Sequence, residues 1–204
     1  MQTPQEATMT RVSDHDAPGL VEHLECALGP IRTGWTVAPD GAKTPFQIVR
    51  FAGGSGAGSV AYSTLGLSRR VLPSPTSDLR IRQELLMLAP DALEPDDVAS
   101  LLLQVGEMAI RMGRALLRGD VIGPAGALVP GSDLTALYVT MPTYFPDEFA
   151  TYSDDDGTIV IAWLVPITDS EADYVSNHGW DAFEDRLSEQ DPDLVDFHRT
   201  AMTL

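Results

Sequence analysis

The stretch FAGGSGAGSVAYSTLG, residues 51–66, places Gly53, Gly54, Gly56 and Gly58 close enough together to suggest a phosphate-binding loop. A dinucleotide fingerprint needs Gly-x-Gly-x-x-Gly opening a helix, and a P-loop ends in Lys followed by Ser or Thr, because the helix N-terminus and the lysine carry the phosphate charge. Neither pattern is present: with Gly54 and Gly56 as the first pair, Ser59 takes the third glycine place, and Val60 to Thr64 continues as strand. The glycines are expected to form a hairpin connection, where positive φ is cheap only for Gly. Asp154-Asp155-Asp156-Gly157 invites calcium, yet with Gly157 sixth in an EF-hand register Tyr152 falls first and Trp163 twelfth. A hairpin turn is the expectation there.

Other candidates carry less. His15, His23, His178 and His198 never stand as His-x-x-x-His, Cys26 sits in a helical pattern where it is expected to pack, and no Gly-x-Ser-x-Gly elbow occurs. Asp147-Glu148 and Glu184-Asp185 offer an acid and a base, but a chain with 30 Asp and Glu supplies such pairs by chance. Arg118-Gly119-Asp120 has the form of an adhesion signal and is expected instead to end a helix. The residues thus point away from catalysis, metals and cofactors. The alternative is a small-molecule enzyme with a cleft near residues 142–157.

Charge is the stronger signal. Thirty acidic against 13 basic residues give a net charge of −17, which opposes nucleic-acid binding because phosphate contacts need basic patches. Residues 147–196 hold fifteen Asp and Glu against one basic residue, Arg186, a local balance of −14. Such a region is either a solvated face that serves solubility or a docking surface for a basic protein. No apolar run is long enough to cross a bilayer, and the N-terminus lacks the pattern of a signal peptide, so a cytoplasmic location is expected.

The elements that would position these residues follow from periodicity. Residues 1–16 read as a flexible tail and 17–204 as one domain. Leu20, Val21, Leu24, Ala27 and Leu28 predict a helix stopped by Gly29-Pro30. Strands are expected at 44–51, 60–67, 78–88, 134–141 and 158–167, the last central because it is almost continuously apolar. A long helix is expected from Pro95 to about Leu117, and a helical C-terminal region from an N-cap at Ser170, interrupted at Gly179. The order predicts an α+β fold with a mixed or largely antiparallel sheet packed by helices.

Several segments together resemble one family. His23-Leu24-Glu25 with Leu28-Gly29-Pro30-Ile31 and Gly34-Trp35, Glu84 to Met87, Gly113 to Pro124, Tyr144 to Phe149, and His178 to Glu184 are similar to the suppressor-of-fused domain family as it occurs in bacteria. The resemblance spans roughly residues 18–196 and rests on the combination and order of these segments. It implies an α+β fold without a cofactor and a protein-binding role. Animal members restrain transcription factors of the hedgehog pathway, and bacterial members are proposed as immunity proteins that neutralise toxins. The chain matches only the N-terminal domain of the animal proteins, so transcription-factor regulation does not carry over. Taken with the charge, the expected partner is a basic protein, a toxin being the concrete case, and the expected contact residues are Asp181, Glu184, Asp185, Glu189, Asp191 and Asp193, facing outward from a helix that Trp180, Phe183 and Leu187 dock on the sheet.

Overall fold

The computed structural model describes residues 19–37, 41 and 43–204. The tail expected at 1–16 and His15 lie outside them. In chain order the elements are α1 (Leu20–Leu28), β1 (Ile31–Val37), β2 (Lys43–Phe51), β3 (Ser59–Leu65), β4 (Leu72–Pro73), β5 (Arg80–Pro90), α2 (Pro95–Met112), β6 (Val121–Ile122), β7 (Leu134–Thr140), β8 (Thr151–Asp154), β9 (Gly157–Thr168), α3 (Asp169–His178) and α4 (Trp180–Gln190). Among the described residues these strands form a nine-stranded sheet in the order β1-β2-β3-β5-β9-β7-β6, with β4 added to β5 and β8 to β9. Only the β5–β9 pair is parallel, so the sheet is mixed and largely antiparallel, as the element order implies.

Burial on both faces explains the apolar runs at the centre. In β5, Leu85, Met87 and Ala89 pack into the layer covered by α2, while Leu86 and Leu88 pack into the opposite layer with α1, α3 and α4. β9 splits in the same way, Ala162 and Leu164 to one side and Ile161, Trp163 and Val165 to the other. The chain is therefore a three-layer arrangement with one long helix on one face and three short helices on the other.

The glycine stretch joins antiparallel β2 and β3. A Cβ on Gly54 would stand 2.6 Å from Ser59 Oγ and 2.9 Å from the Ser59 carbonyl carbon, so close backbone approach requires glycine there. The Asp154–Gly157 turn closes the β8–β9 hairpin, with Asp154 opposite Gly157.

Some expectations fail for local reasons. α2 ends at Met112 rather than near Leu117, because the next backbone N–H groups find partners outside a helix: Ala115 on the Pro73 carbonyl, Leu116 on Gln83 Oε1 and Leu117 on Asp120 Oδ2. Arg118-Gly119-Asp120 accordingly does not end that helix but forms the turn leading into β6. The N-cap of α3 is Thr168, not Ser170. Its hydroxyl accepts the Glu171 N–H while the Glu171 carboxylate accepts the Thr168 N–H, a reciprocal capping box. Cys26 is exposed on α1 rather than packed. β1 was hidden in sequence because it is an edge strand with mostly exposed residues.

Candidate partner-binding face

The acidic region folds over the second face of the sheet, where two carboxylates work inward. Glu171, fully buried at the start of α3, receives both terminal nitrogens of Arg199 at 2.7 Å and the Met202 N–H at 2.9 Å. Burial pushes its carboxyl up, and the Arg199 hydrogen bonds and charge more than offset this, holding it below the ordinary Glu range. Arg199 also donates to the Pro166 and Thr200 carbonyls. Gln190 exchanges two hydrogen bonds with the Thr203 backbone, at 2.7 and 2.9 Å. The irregular segment after α4 is thus pinned at both ends of the helical layer.

Glu184 does the corresponding work in α4. Its carboxylate accepts from Arg118 Nε at 3.0 Å, Tyr138 at 2.9 Å and Thr140 at 3.0 Å, and pairs again with Arg118 Nη2. Burial raises its carboxyl, but these donors win and hold it below the usual range, while burial and the neighbouring Glu184 carboxylate push the Tyr138 phenol up. The Arg118 guanidinium also lies 4.5 Å from the Trp180 ring centroid. Gly119 sits directly beneath Trp180 at φ +94, where an added Cβ would come within 2.8 Å of the indole, so no other residue fits without moving the helix. The Arg118-Gly119-Asp120 turn is therefore the seat of α4.

The six expected contact residues divide. Asp181, Asp185, Glu189, Asp191 and Asp193 are exposed, whereas the Glu184 side chain retains only 19% exposure and faces the sheet. Among the described residues, Asp181, Asp185, Asp191 and Asp193 are in no ion pair, and Glu189 pairs with Arg186 at 2.8 Å. Of the docking residues, Phe183 is fully buried edge-on to Tyr138 at 5.0 Å, Leu187 is partly buried, and Trp180 remains 40% exposed over Arg118.

Of residues 142–157, only Thr143 and Tyr144 line the cleft found beside them. Asp147 and Glu148 are exposed on a short 3-10 turn, and 151–157 are taken up by β8 and its hairpin. This cleft, of about 180 Å³, is lined by Thr140, Thr143, Tyr144, Trp163, Glu184 and Asp191 among others. It opens where β9 changes partner: β8 pairs with it as far as Val160, and β7 takes over at Trp163. Among the described residues no group of three or more His, Cys, Asp or Glu is arranged to hold a metal, and no helix is long and apolar enough to cross a membrane.

The profile of the Suppressor of fused protein (SUFU) family matches residues 42–200. The chain belongs to this family. No curated protein matches the sequence, but solved suppressor-of-fused structures share its fold. A protein from Neisseria gonorrhoeae described as a SUFU homolog superposes with a TM-score of 0.69 at 18% identity, over 89% of this chain and 93% of that one. A chain of a Sufu–Fu complex gives 0.65 at 19% identity, over 89% and 87%. Drosophila Suppressor of Fused gives 0.57 at 20% identity, covering 78% of this chain and 42% of that one.

Within this suppressor-of-fused domain, three of the segments that carry the resemblance meet at the acidic face. Gly113 to Pro124 supplies Arg118 and Gly119, Tyr144 to Phe149 supplies Tyr144 to the cleft, and His178 to Glu184 joins α3 to α4. Tyr138, Thr140, Trp163 and Arg199 lie outside those segments, and no motif announces them. The one available signal was the placement of Arg118 and Arg199 on either side of a strongly acidic stretch.

Proposed function

We propose that this suppressor-of-fused domain is a non-enzymatic protein-binding module that captures a basic protein, and that it acts as an immunity-type protein by neutralising a cationic toxin. The observation that carries this reading is the row of exposed carboxylates along α4 and the segment after it: Asp181, Asp185, Glu189, Asp191 and Asp193, mounted on backbone held by Glu184 and by the Glu171–Arg199 pair. Preorganised charge of one sign speeds encounter with an oppositely charged partner and disfavours wrong ones. Membership of a family in which a Sufu–Fu complex has been solved supports protein binding as the general mode.

The test is capture followed by neutralisation. The immobilised protein should retain a cationic protein, with the product of the adjacent reading frame as the first candidate, and co-expression should relieve that protein's toxicity. Retention should fall steeply as salt rises past the range where the screening length drops below ~10 Å, and it should fall with Asp181→Lys and Asp185→Lys. Salt-insensitive retention, or capture indifferent to both substitutions, would overturn the reading.

A further inference from the structure

Arg50, Arg82, Arg114, Arg118, Arg186 and Arg199 each hold a carboxylate. Arg69, Arg70 and Arg80 do not: among the described residues they are in no ion pair. All three stand within residues 66–82, which carry four arginines against the single acid Asp78, a balance of +3 in a chain whose net charge is −17.

This stretch folds as a ribbon at the head of β5. β4 pairs with the first two residues of β5, Leu72 opposite Ile81 and Pro73 opposite Arg80, and the Ser74 N–H closes the connection on the Leu79 carbonyl. Leu72 and Ile81 pack into the core under α2, and the Ala115 N–H bonds the Pro73 carbonyl, so the ribbon is fixed to the body of the domain. Its other long side chains are left in water. Arg69, Arg70, Val71, Leu79 and Arg80 are exposed, and Leu79, at 68%, exceeds every other large apolar side chain described. Arg80 Nη2 donates to the Val71 carbonyl at 3.1 Å, which keeps a guanidinium beside an exposed apolar residue. Arg82 differs, being drawn in to Asp154 and to the Ser68 and Gly157 carbonyls. The exposed Asp155 and Asp156 of the same turn are in no ion pair among the described residues.

Unpaired guanidinium groups interleaved with uncovered apolar side chains specify a partner that brings carboxylates and apolar groups together. A guanidinium pairs bidentately with a carboxylate, and Val71 and Leu79 gain by burial under an apolar side chain. An anionic bilayer also offers negative charge, but as an extended plane it meets the whole molecule, and a net charge of −17 opposes that approach. Nucleic acid is opposed in the same way. A short segment that touches only the ribbon escapes most of this repulsion, because exposed charges beyond a screening length of about 8–10 Å act weakly.

We propose that the β4–β5 ribbon is a docking site for a short acidic segment of a partner protein, one in which apolar residues are interspersed with Asp and Glu. It is a second surface, opposite in sign to the acidic face, and it stands whether or not a basic protein binds there. A contact of this size is weak and transient.

The probe is the capped peptide Glu-Leu-Asp-Glu-Leu, with Gln-Leu-Asn-Gln-Leu and Glu-Ser-Asp-Glu-Ser as controls, titrated into the isotope-labelled protein while backbone amide resonances are followed by NMR. The amides of residues 69–80 should move with the first peptide, move clearly less with either control, and return as salt is raised, while those of Asp181 and Asp185 stay in place. Arg70→Gln and Arg80→Gln should each weaken the peptide by roughly two- to fivefold, the span expected for an exposed ion pair. Leu79→Ser should weaken it as well, and all three variants should keep the wild-type denaturant midpoint. Ribbon amides that stay still, or that move equally with the neutral peptide, overturn the site. Movement on raising the protein concentration without peptide assigns the ribbon to a second copy, and co-sedimentation with vesicles of equimolar phosphatidylcholine and phosphatidylserine in place of peptide binding assigns it to a membrane; either result overturns the acidic segment as its occupant.

Discussion

The two faces of the sheet are covered by opposite means, and the contrast shows where a function can be carried. On one face a single 18-residue helix, α2, buries Val98, Leu102, Val105 and Ala109 against the strands, held by continuous apolar contact. On the other face the burial is divided among α1, α3, α4 and an irregular segment, with Phe183 the main anchor of α4, and polar groups do much of the holding: Glu171 with Arg199, Glu184 with Arg118, Tyr138 and Thr140. A face assembled through a few charged staples can expose most of its carboxylates without giving up a fixed backbone. That is the face proposed above as the partner's docking surface.

The comparison breaks most easily at Arg199. Arg199→Ala leaves Glu171 buried without its cation and should cost ~3–5 kcal/mol, read as a drop in the denaturant midpoint. A loss under ~1 kcal/mol would mean the second face does not depend on its polar staples.

Glu184 gives a smaller effect with a pH signature. Glu184→Ala removes the acceptor for Tyr138 and Thr140 and should cost about 1–3 kcal/mol at neutral pH. Because the folded carboxyl lies below its ordinary value, this contribution is present above the unfolded Glu value of ~4.3 and disappears as pH falls through the folded value. The stability gap between wild type and variant should therefore close on acidification. A gap independent of pH would assign the loss to packing instead.

The smallest effect sharpens the contrast from outside. Asp181→Asn with Asp185→Asn should alter folding stability by no more than ~0.5 kcal/mol while weakening partner capture. Equal loss of stability and capture would make these two residues structural, like Glu184.

How much of this was legible depended on how far apart in sequence the interacting groups lie. The α+β class, α1, the central strand and the body of α2 could be read from local periodicity, because apolar burial repeats along one element, and the family from the combination and order of its segments. The concentration of acid in 147–196 was equally plain. The end of α2 was not, since the N–H groups of residues 115–117 are satisfied by Pro73, Gln83 and Asp120. Glu184 looked like its neighbours in sequence and differs from them only because Arg118, 66 positions away, lies beneath it.

The sequence by itself determined the class of fold and the sign and location of the charge, which are repeats or sums along the chain, and the family, which shows in the order of its segments. Only the tertiary structure decided which carboxylates are spent holding helices and which remain exposed, and it alone separated the arginines that hold a carboxylate from Arg69, Arg70 and Arg80. The reason is physical: burial and hydrogen-bond pairing are properties of neighbours in space, and carboxylates from one acidic stretch, such as Glu184 and Asp185, have different neighbours once the chain has folded.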